Sequence, residues 1–149
     1  MPSKLSLKVA REKIKRLDSL VEASQLLNSS LDLKKILGVL VDLATKHLDA
    51  ERGTIYLIDR ERKELWAEVL QKESIEIRLP LGKGIAGYVG KTGKTVNLRN
   101  AYKDRRFFKG IDRQSGYTTK TMLCTPMRNA SNRIIGVFQI LNKRSGYFN

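Results

Sequence analysis

Apolar residues follow two different periods along this chain, and the change occurs near residue 50. Before that point they recur every three or four residues, which is the period of an amphipathic helix. After it they alternate with polar residues, which is the period of a strand with one buried face. Helices followed by a series of antiparallel strands predict an α+β fold.

The helical region is predicted to form two helices. The first has an apolar seam with Lys and Glu around it, at alternating steps of three and four residues: Leu7, Ala10, Ile14, Leu17, Val21 and Ser24. Asn28-Ser29-Ser30 predicts a break, after which Ser30 or Asp32 can cap a second helix whose broad apolar face packs on a sheet. The seam favours pairing with a second chain, and a place in an intramolecular bundle is the alternative.

Six segments have the composition and alternation of strands. They are 54–58, 64–70, 74–79, 95–98, 121–128 and 133–142. Pro80 ends the third strand, and a glycine-rich segment then begins a short helix that continues to about Lys91. The polar segment 99–120 is predicted to be a loop.

Length and composition fit one globular domain. The 149 residues, 41% of them hydrophobic, suffice for one core and are too few for two. No apolar run approaches the roughly 20 residues of a membrane helix, and the Lys-rich start lacks the apolar segment of a signal peptide. We therefore expect a cytoplasmic protein without a membrane span. The single cysteine, Cys124, excludes an internal disulfide, and Cys124 with the single histidine His47 is too little for structural zinc.

The net charge of +14 suggests binding to nucleic acid. Basic residues are frequent in 1–20 and 99–120, but more than half of them lie elsewhere. No helix-turn-helix, RNA-binding strand motif or zinc-finger spacing accompanies them. A solvated basic surface is the favoured interpretation, and nucleic-acid binding through the basic loop is a less favoured alternative.

The segment 82–112 combines glycines with aromatic, basic and acidic side chains, as a pocket wall does. The turn at Gly84-Ile85-Ala86 can aim free backbone N–H groups at an anion. Its spacing fits neither a Walker loop nor a dinucleotide fingerprint, so nucleotide hydrolysis is not predicted. Because no Ser-His arrangement, carboxylate pair or metal-ligand cluster appears in the sequence, we predict no catalysis, cofactor or metal in this chain.

Several motifs, in this order of elements, match a known family. They are Glu51–Leu57, Gly84–Val89 with Thr92-Gly93, Asn97 with Asn100–Tyr102, Arg106–Phe108, Gly110–Asp112, Ser115–Lys120, Leu123–Met127 and Gly136–Lys143. Over nearly the whole chain they resemble the GAF domain family, the ligand-sensing modules of cyclic-nucleotide phosphodiesterases, bacterial adenylate cyclases and many bacterial signalling proteins. The resemblance implies a GAF fold: a central antiparallel sheet of about six strands, N-terminal helices on one face, and a ligand pocket under short helices and a loop on the other.

The 100–120 loop is most similar to that of the cyclic-nucleotide-binding members, which implies cAMP or cGMP as a reversible ligand. Ten positions match the family's ligand contacts: Thr54, Leu70, Gln71, Ile85, Ala86, Phe108, Asp112, Ser115, Thr119 and Gln139.

The resemblance also implies a role for each of these positions. Thr54, Leu70 and Gln71 would contact the purine, and Gln139 would turn a polar group to the ligand. Ile85 and Ala86 would meet the cyclic phosphate through backbone N–H groups. Phe108 would cover the ring, and Asp112, Ser115 and Thr119 would meet ribose, base or phosphate. Because Gln71 and Gln139 stand where members often have acids, the choice between cAMP and cGMP stays open.

The resemblance implies a regulatory module of a longer signalling protein. Residues 1–30 would be a signalling and dimerisation helix, and 31–149 the GAF domain without its usual closing helix. The helices would relay ligand binding to an attached output domain such as a cyclase or phosphodiesterase. Lys143, in a motif where the family forms a salt bridge, would be structural. A ligand-free scaffold that forms a homodimer through the seam is the alternative.

Overall fold

The computed structural model describes residues 3–70 and 77–149, without the side chains of 23–31, 69 and 70. Its elements are α1 (Lys4–His47), β1 (Ala50–Asp59), β2 (Glu64–Leu70), β3 (Arg78–Pro80), α2 (Gly84–Thr92), β4 (Val96–Leu98), a 3-10 turn (Ala101–Lys103), α3 (Gly110–Ser115), β5 (Met122–Arg128) and β6 (Ile134–Lys143). The predicted α+β class is confirmed. All six strands end within one residue of their predicted ends, but β1 begins four residues earlier than predicted, and Ile77, predicted to be in the third strand, lies before β3.

The strands of the described residues form one antiparallel, six-stranded sheet in the order β3-β2-β1-β6-β5-β4. The two longest strands, β1 and β6, have ten residues each and lie at its centre. In their register Thr54 pairs with Gln139, and Gln139 pairs with Cys124 of β5 on its other side. Successive side chains of a strand point to opposite faces, so each central strand contributes to two cores.

One face of the sheet packs against the end of α1. Leu37 and Val41 of this helix form a buried cluster with Ile55 of β1. The opposite face packs against α2, which contacts β2, β3, β5 and β6. The core between them includes the fully buried Tyr56, Leu65, Val89, Cys124 and Val137. This second face also holds the cavities described below.

Gly53 allows α1 and β1 to approach closely. A Cβ atom at Gly53 would lie 2.8 Å from Cγ1 of Val41 and 3.1 Å from Cγ2 of Thr45. We predict that Gly53→Ala lowers the free energy of unfolding by about 1–3 kcal/mol, because a tightly packed contact must open. Gly38→Ala is the matched control, since Gly38 is helical and has no neighbour within 4 Å of its would-be Cβ.

The control should raise stability by up to about 1 kcal/mol through helix propensity. Urea denaturation of both variants measures the difference. A Gly53→Ala protein as stable as the Gly38→Ala protein would contradict this packing.

Contacts within the chain divide it into two units, residues 1–36 and 37–149. In the first unit the described seam positions of α1 are exposed: Leu7 by 47%, Ile14 by 58%, Leu17 by 61% and Val21 by 53%. Ala10 is exposed as well. Within residues 3–70 and 77–149, none of the helices combines the length and the apolar character that crossing a bilayer requires.

Two expectations about local structure are wrong. The predicted break at Asn28-Ser29-Ser30 does not occur, because α1 continues as one helix of 44 residues and neither Ser30 nor Asp32 begins a new one. Asn and Ser each cost only a few tenths of a kcal/mol in a helix interior, too little to end it. Segment 99–120 is also not simply a loop, since it contains the 3-10 turn and α3. The predicted strand start at 74–76 lies outside the described residues.

Candidate ligand-binding site

Two small cavities lie between the second face of the sheet and the elements that cover it. The first, of about 50 Å³, is bordered by the start of α2 and by Phe107 and Phe108. The second, of about 30 Å³, is bordered by Arg52 and Thr54 of β1 and by Ser115 and Tyr117. Five residues border both: Tyr56, Ile111, Asp112, Gln139 and Leu141. Ile111 and Asp112 belong to α3, and the other three belong to β1 and β6, so this helix and the two central strands border both cavities.

The floor of the cavities is polar although it is deeply buried. Thr54 is 3% exposed, Gln139 is 8% exposed and Tyr56 is 1% exposed. Burial raises the pKa of Tyr56 far above its usual value, and a hydrogen bond with Gln139 partly offsets that effect. The phenol is therefore neutral at physiological pH. A hydroxyl and an amide on the floor can donate and accept hydrogen bonds without carrying charge.

Asp112 of α3 connects Tyr102 and Thr119, which lie before and after this helix in the sequence. Its Oδ2 accepts hydrogen bonds from the Tyr102 hydroxyl at 2.7 Å and from the Thr119 backbone N–H at 2.7 Å. Its Oδ1 accepts a third bond from the Thr119 hydroxyl at 2.8 Å. The carboxylate is 8% exposed, and its hydrogen bond raises the pKa of Tyr102. A ligand that uses Asp112 or Thr119 therefore has to replace bonds that they make with each other.

The start of α2 forms one end of the first cavity. Lys83 is the N-cap residue without a side-chain capping bond, and Gly84 follows with a φ of 71°. Ile85 and Ala86 are buried in the first turn, where backbone N–H groups lack helical partners. Phe108 is 38% exposed, and the Lys83 Nζ lies 4.5 Å from its ring centroid. An aromatic ring thus borders the cavity, and a cation lies against that ring.

Eight of the ten predicted contact residues border these cavities. Ile85, Ala86, Phe108 and Thr119 border the first, Thr54 and Ser115 the second, and Asp112 and Gln139 both. Leu70 pairs with Thr54 across β1 and β2, but its side chain lies outside the described residues, as does the whole of Gln71. Whether these residues contact a ligand stays a prediction.

Four residues that border the cavities were not identified by the sequence analysis. Three lie on the two central strands, and one lies just after α3. They are Arg52, Tyr56, Tyr117 and Leu141. Strand periodicity could have indicated three of them, because Arg52 and Tyr56 lie two residues from Thr54, and Leu141 lies two from Gln139. No comparable pattern marks Tyr117.

Catalytic groups are scarce around the cavities. Burial strongly raises the pKa of Cys124, which leaves its thiol protonated and unreactive. Among the described residues, no three His, Cys, Asp or Glu side chains are grouped so that they could hold a metal ion.

Comparison with known proteins assigns the chain to a family. A family model described as the GAF domain matches residues 32–149. The probable 3',5'-cyclic phosphodiesterase pde-5 of Caenorhabditis elegans is 34% identical over 139 residues, which are 85% of this chain and 19% of that protein. The dual 3',5'-cyclic-AMP and -GMP phosphodiesterase 11A of Takifugu rubripes is 36% identical over 131 residues, 80% of this chain and 14% of that protein. The chain thus spans less than a fifth of the length of these relatives.

Solved structures have the same fold. The GAF domain of an Acinetobacter phosphoenolpyruvate-protein phosphotransferase has a TM-score of 0.64 and 27% identity, covering 91% of this chain and 81% of that one. A free methionine-R-sulfoxide reductase from Neisseria meningitidis has a TM-score of 0.65 and 18% identity, covering 78% and 66%. The predicted family and fold are both confirmed.

Proposed function

The chain belongs to the GAF domain family, and on this premise we propose that it is a non-catalytic regulatory domain that binds a cyclic purine nucleotide, cAMP or cGMP. The observation that carries the proposal is the grouping of eight predicted contact residues around cavities on one face of the sheet. Relatives named as cyclic-nucleotide phosphodiesterases, one of them dual for cyclic AMP and cyclic GMP, support the choice of ligand.

The residue types suit the parts of such a ligand. Backbone N–H groups at Ile85 and Ala86, in the first turn of α2, suit a singly charged cyclic phosphate. Phe108 offers an aromatic surface to a ring. At the second cavity, Thr54 and Gln139 offer neutral donors and acceptors to a purine edge. An amide can pair with either adenine or guanine by turning over, so these residues are compatible with both nucleotides.

Binding requires α3 to move. The cavities hold about 50 and 30 Å³, whereas sites for drug-sized ligands occupy about 300 Å³ or more. Ile111 and Asp112 of α3 border both cavities, and we propose that an outward shift of α3 joins them into one space. We propose that the nucleotide stabilises the state in which α3 is shifted outward. The free energy needed to shift α3 from its observed position lowers the apparent affinity for the nucleotide.

Isothermal titration calorimetry with cAMP and cGMP tests the proposal. We expect saturable one-site binding of at least one of them, and no comparable binding of 5'-AMP or 5'-GMP. These have a phosphate monoester with a second negative charge in place of the cyclic phosphodiester, which does not fit neutral donors. The ratio of the two affinities identifies the purine that is preferred. No binding of either cyclic nucleotide at millimolar concentration would overturn the proposal.

The exposed seam of α1 favours a second role in assembly. We propose that Leu7, Ala10, Ile14, Leu17 and Val21 pair with a second copy of the chain, because the described large residues among them are about half exposed or more. Burying the exposed half of a Leu, Ile or Val side chain in a helical pair stabilises it by roughly 1 kcal/mol. In the full-length protein this helix would relay ligand binding to the output domain.

Leu17→Lys should shift the chain from dimer to monomer, because a charge would replace an apolar seam position. Analytical ultracentrifugation measures the change, with Lys15→Leu as the control because Lys15 lies outside the seam. A wild-type chain that is monomeric at high micromolar concentration would contradict the pairing.

A further inference from the structure

Three consecutive residues at the end of β6 join parts of the domain that are distant in sequence. The Asn142 amide oxygen accepts the backbone N–H groups of Lys120 at 2.6 Å and Thr121 at 3.2 Å. Its amide nitrogen donates to the Thr118 carbonyl at 2.8 Å and to the Tyr117 hydroxyl at 2.8 Å. Asn142 therefore fixes the end of the segment that covers the cavities.

The next two residues hold the turn between α1 and β1. The Lys143 ammonium donates to the Leu48 carbonyl at 2.8 Å, directly after the end of α1. The Arg144 backbone N–H donates to the Asp49 carbonyl at 2.7 Å. Asn142 thus holds the segment that covers the cavities, and the next two residues hold the end of α1.

Glu51 and Tyr117 connect the segment that covers the cavities directly to the start of β1. The Tyr117 hydroxyl donates to Oε2 of Glu51 at 2.6 Å, and the Asn142 amide approaches the same oxygen at 3.3 Å. The bond from Tyr117 lowers the pKa of Glu51. The Arg52 guanidinium carbon lies 3.8 Å from the centroid of the Tyr117 ring, which holds that ring in place. Tyr117 also borders the second cavity, while Glu51 is the second residue of β1.

We propose that Glu51 and Tyr117 are positioning residues that couple the covering segment 117–121 to the α1–β1 junction 48–53. The part of the proposal that concerns a ligand rests on the proposed function above. Tyr117 lies two residues beyond the end of α3, so it moves when α3 moves. The Tyr117 hydroxyl then transmits that displacement to Glu51. A short hydrogen bond to a carboxylate is strong enough to make the states of the two segments depend on each other.

Amide hydrogen exchange of the ligand-free domain tests the coupling, with Tyr117→Phe as the test variant. It removes one hydroxyl and keeps the ring under Arg52. We expect exchange to become about three- to tenfold faster in 117–121 and also in 48–53, because the bond to the carboxylate is lost. Tyr147→Phe is the control, since Tyr147 is a half-exposed tyrosine whose ring stacks against Arg99, and it should change neither segment. Faster exchange confined to 117–121, or no change, would overturn the proposal.

Variants of Glu51 distinguish coupling from simple stabilisation. Glu51→Gln keeps an acceptor and should have a smaller effect than Glu51→Ala. The effects of Glu51→Ala and Tyr117→Phe on exchange in 48–53 should not add, because both remove the same contact. Additive effects would contradict the direct link.

The nucleotide provides a second measurement. In the wild type, saturating cyclic nucleotide should change exchange in 48–53, whereas Glu51→Ala, at a residue that borders neither cavity, should bind it without that change. If neither nucleotide binds, the proposed ligand fails but the ligand-free comparison still decides the coupling. If the nucleotide binds and Glu51→Ala responds at 48–53 as the wild type does, the coupling fails and the proposed function stands.

Discussion

Gly136→Ala should lower the free energy of unfolding by about 3 kcal/mol or more, because the change forces a collision within the central strands. Gly136 pairs with Leu57 of β1 and Met127 of β5. A Cβ atom at this position would overlap the backbone carbonyl oxygen of Tyr56. A flexible side chain could turn away, but strands paired on both sides cannot separate without loss of hydrogen bonds.

Chemical denaturation of Gly136→Ala and of Ile135→Ala measures this effect. Ile135 is the neighbouring residue and is 40% exposed, so its truncation should cost much less. If the two variants lose equal stability, the close contact at Gly136 is not as described.

Asp112→Ala should weaken binding of the cyclic nucleotide about tenfold or more, because the carboxylate proposed to contact the ligand is lost. It should also destabilise the segment that covers the cavities. The change leaves the Tyr102 hydroxyl and both donors of Thr119 without their acceptor. Hydrogen bonds to a charged group contribute about 1.5–3 kcal/mol each, and unsatisfied buried donors add a further cost. Calorimetry measures the affinity, and thermal unfolding measures the stability.

Arg113→Ala is the control for Asp112→Ala, since Arg113 is the next residue of α3 and is exposed. It should leave affinity and stability near those of the wild type. Asp112→Asn separates two roles, because it keeps an acceptor of the same shape. Recovery of stability without recovery of affinity would indicate direct contact with the ligand. Unchanged affinity of Asp112→Ala would remove Asp112 from the site.

The sheet could be predicted from the sequence because alternation in its strands is strong. In β1 and β6 the residues facing α1, such as Ile55 and Phe138, alternate with those facing the cavities, such as Tyr56 and Gln139. The same alternation groups Thr54 and Gln139 on one face. The predicted bounds of β2 match the observed Glu64–Leu70.

Elements that depend on tertiary contacts could not be predicted in this way. The six residues of α3 are too few to show a helical period. The helix is held instead by the hydrogen bonds that Asp112 accepts from Tyr102 and Thr119. Conversely, polar residues at 28–30 suggested a break that the continuous α1 does not have. Local composition is weak evidence where neither Gly nor Pro interrupts a helix.

Part of the cavity lining was predictable, but the hydrogen bonds among its residues were not, and contact with a ligand stays a prediction. Resemblance to the family selected residues that lie around the same cavities, including Ile85 and Thr119. It did not indicate that Asp112 would already accept hydrogen bonds from its neighbours, or that α3 would border two separate small cavities. Those features depend on distances between residues that are far apart in the sequence.

Nuclear magnetic resonance titration of the ¹⁵N-labelled domain with the tighter-binding cyclic nucleotide tests the central claim most directly. We predict saturable shift changes in the amide signals of Ile85 and Ala86 and in those of α3 and Thr119, with the side-chain amide of Gln139 affected as well. Changes confined to exposed basic positions such as Arg99 and Lys103, growing linearly and vanishing with added salt, would indicate non-specific binding of an anion. That result, or unchanged spectra, would contradict a cyclic-nucleotide pocket beneath α3.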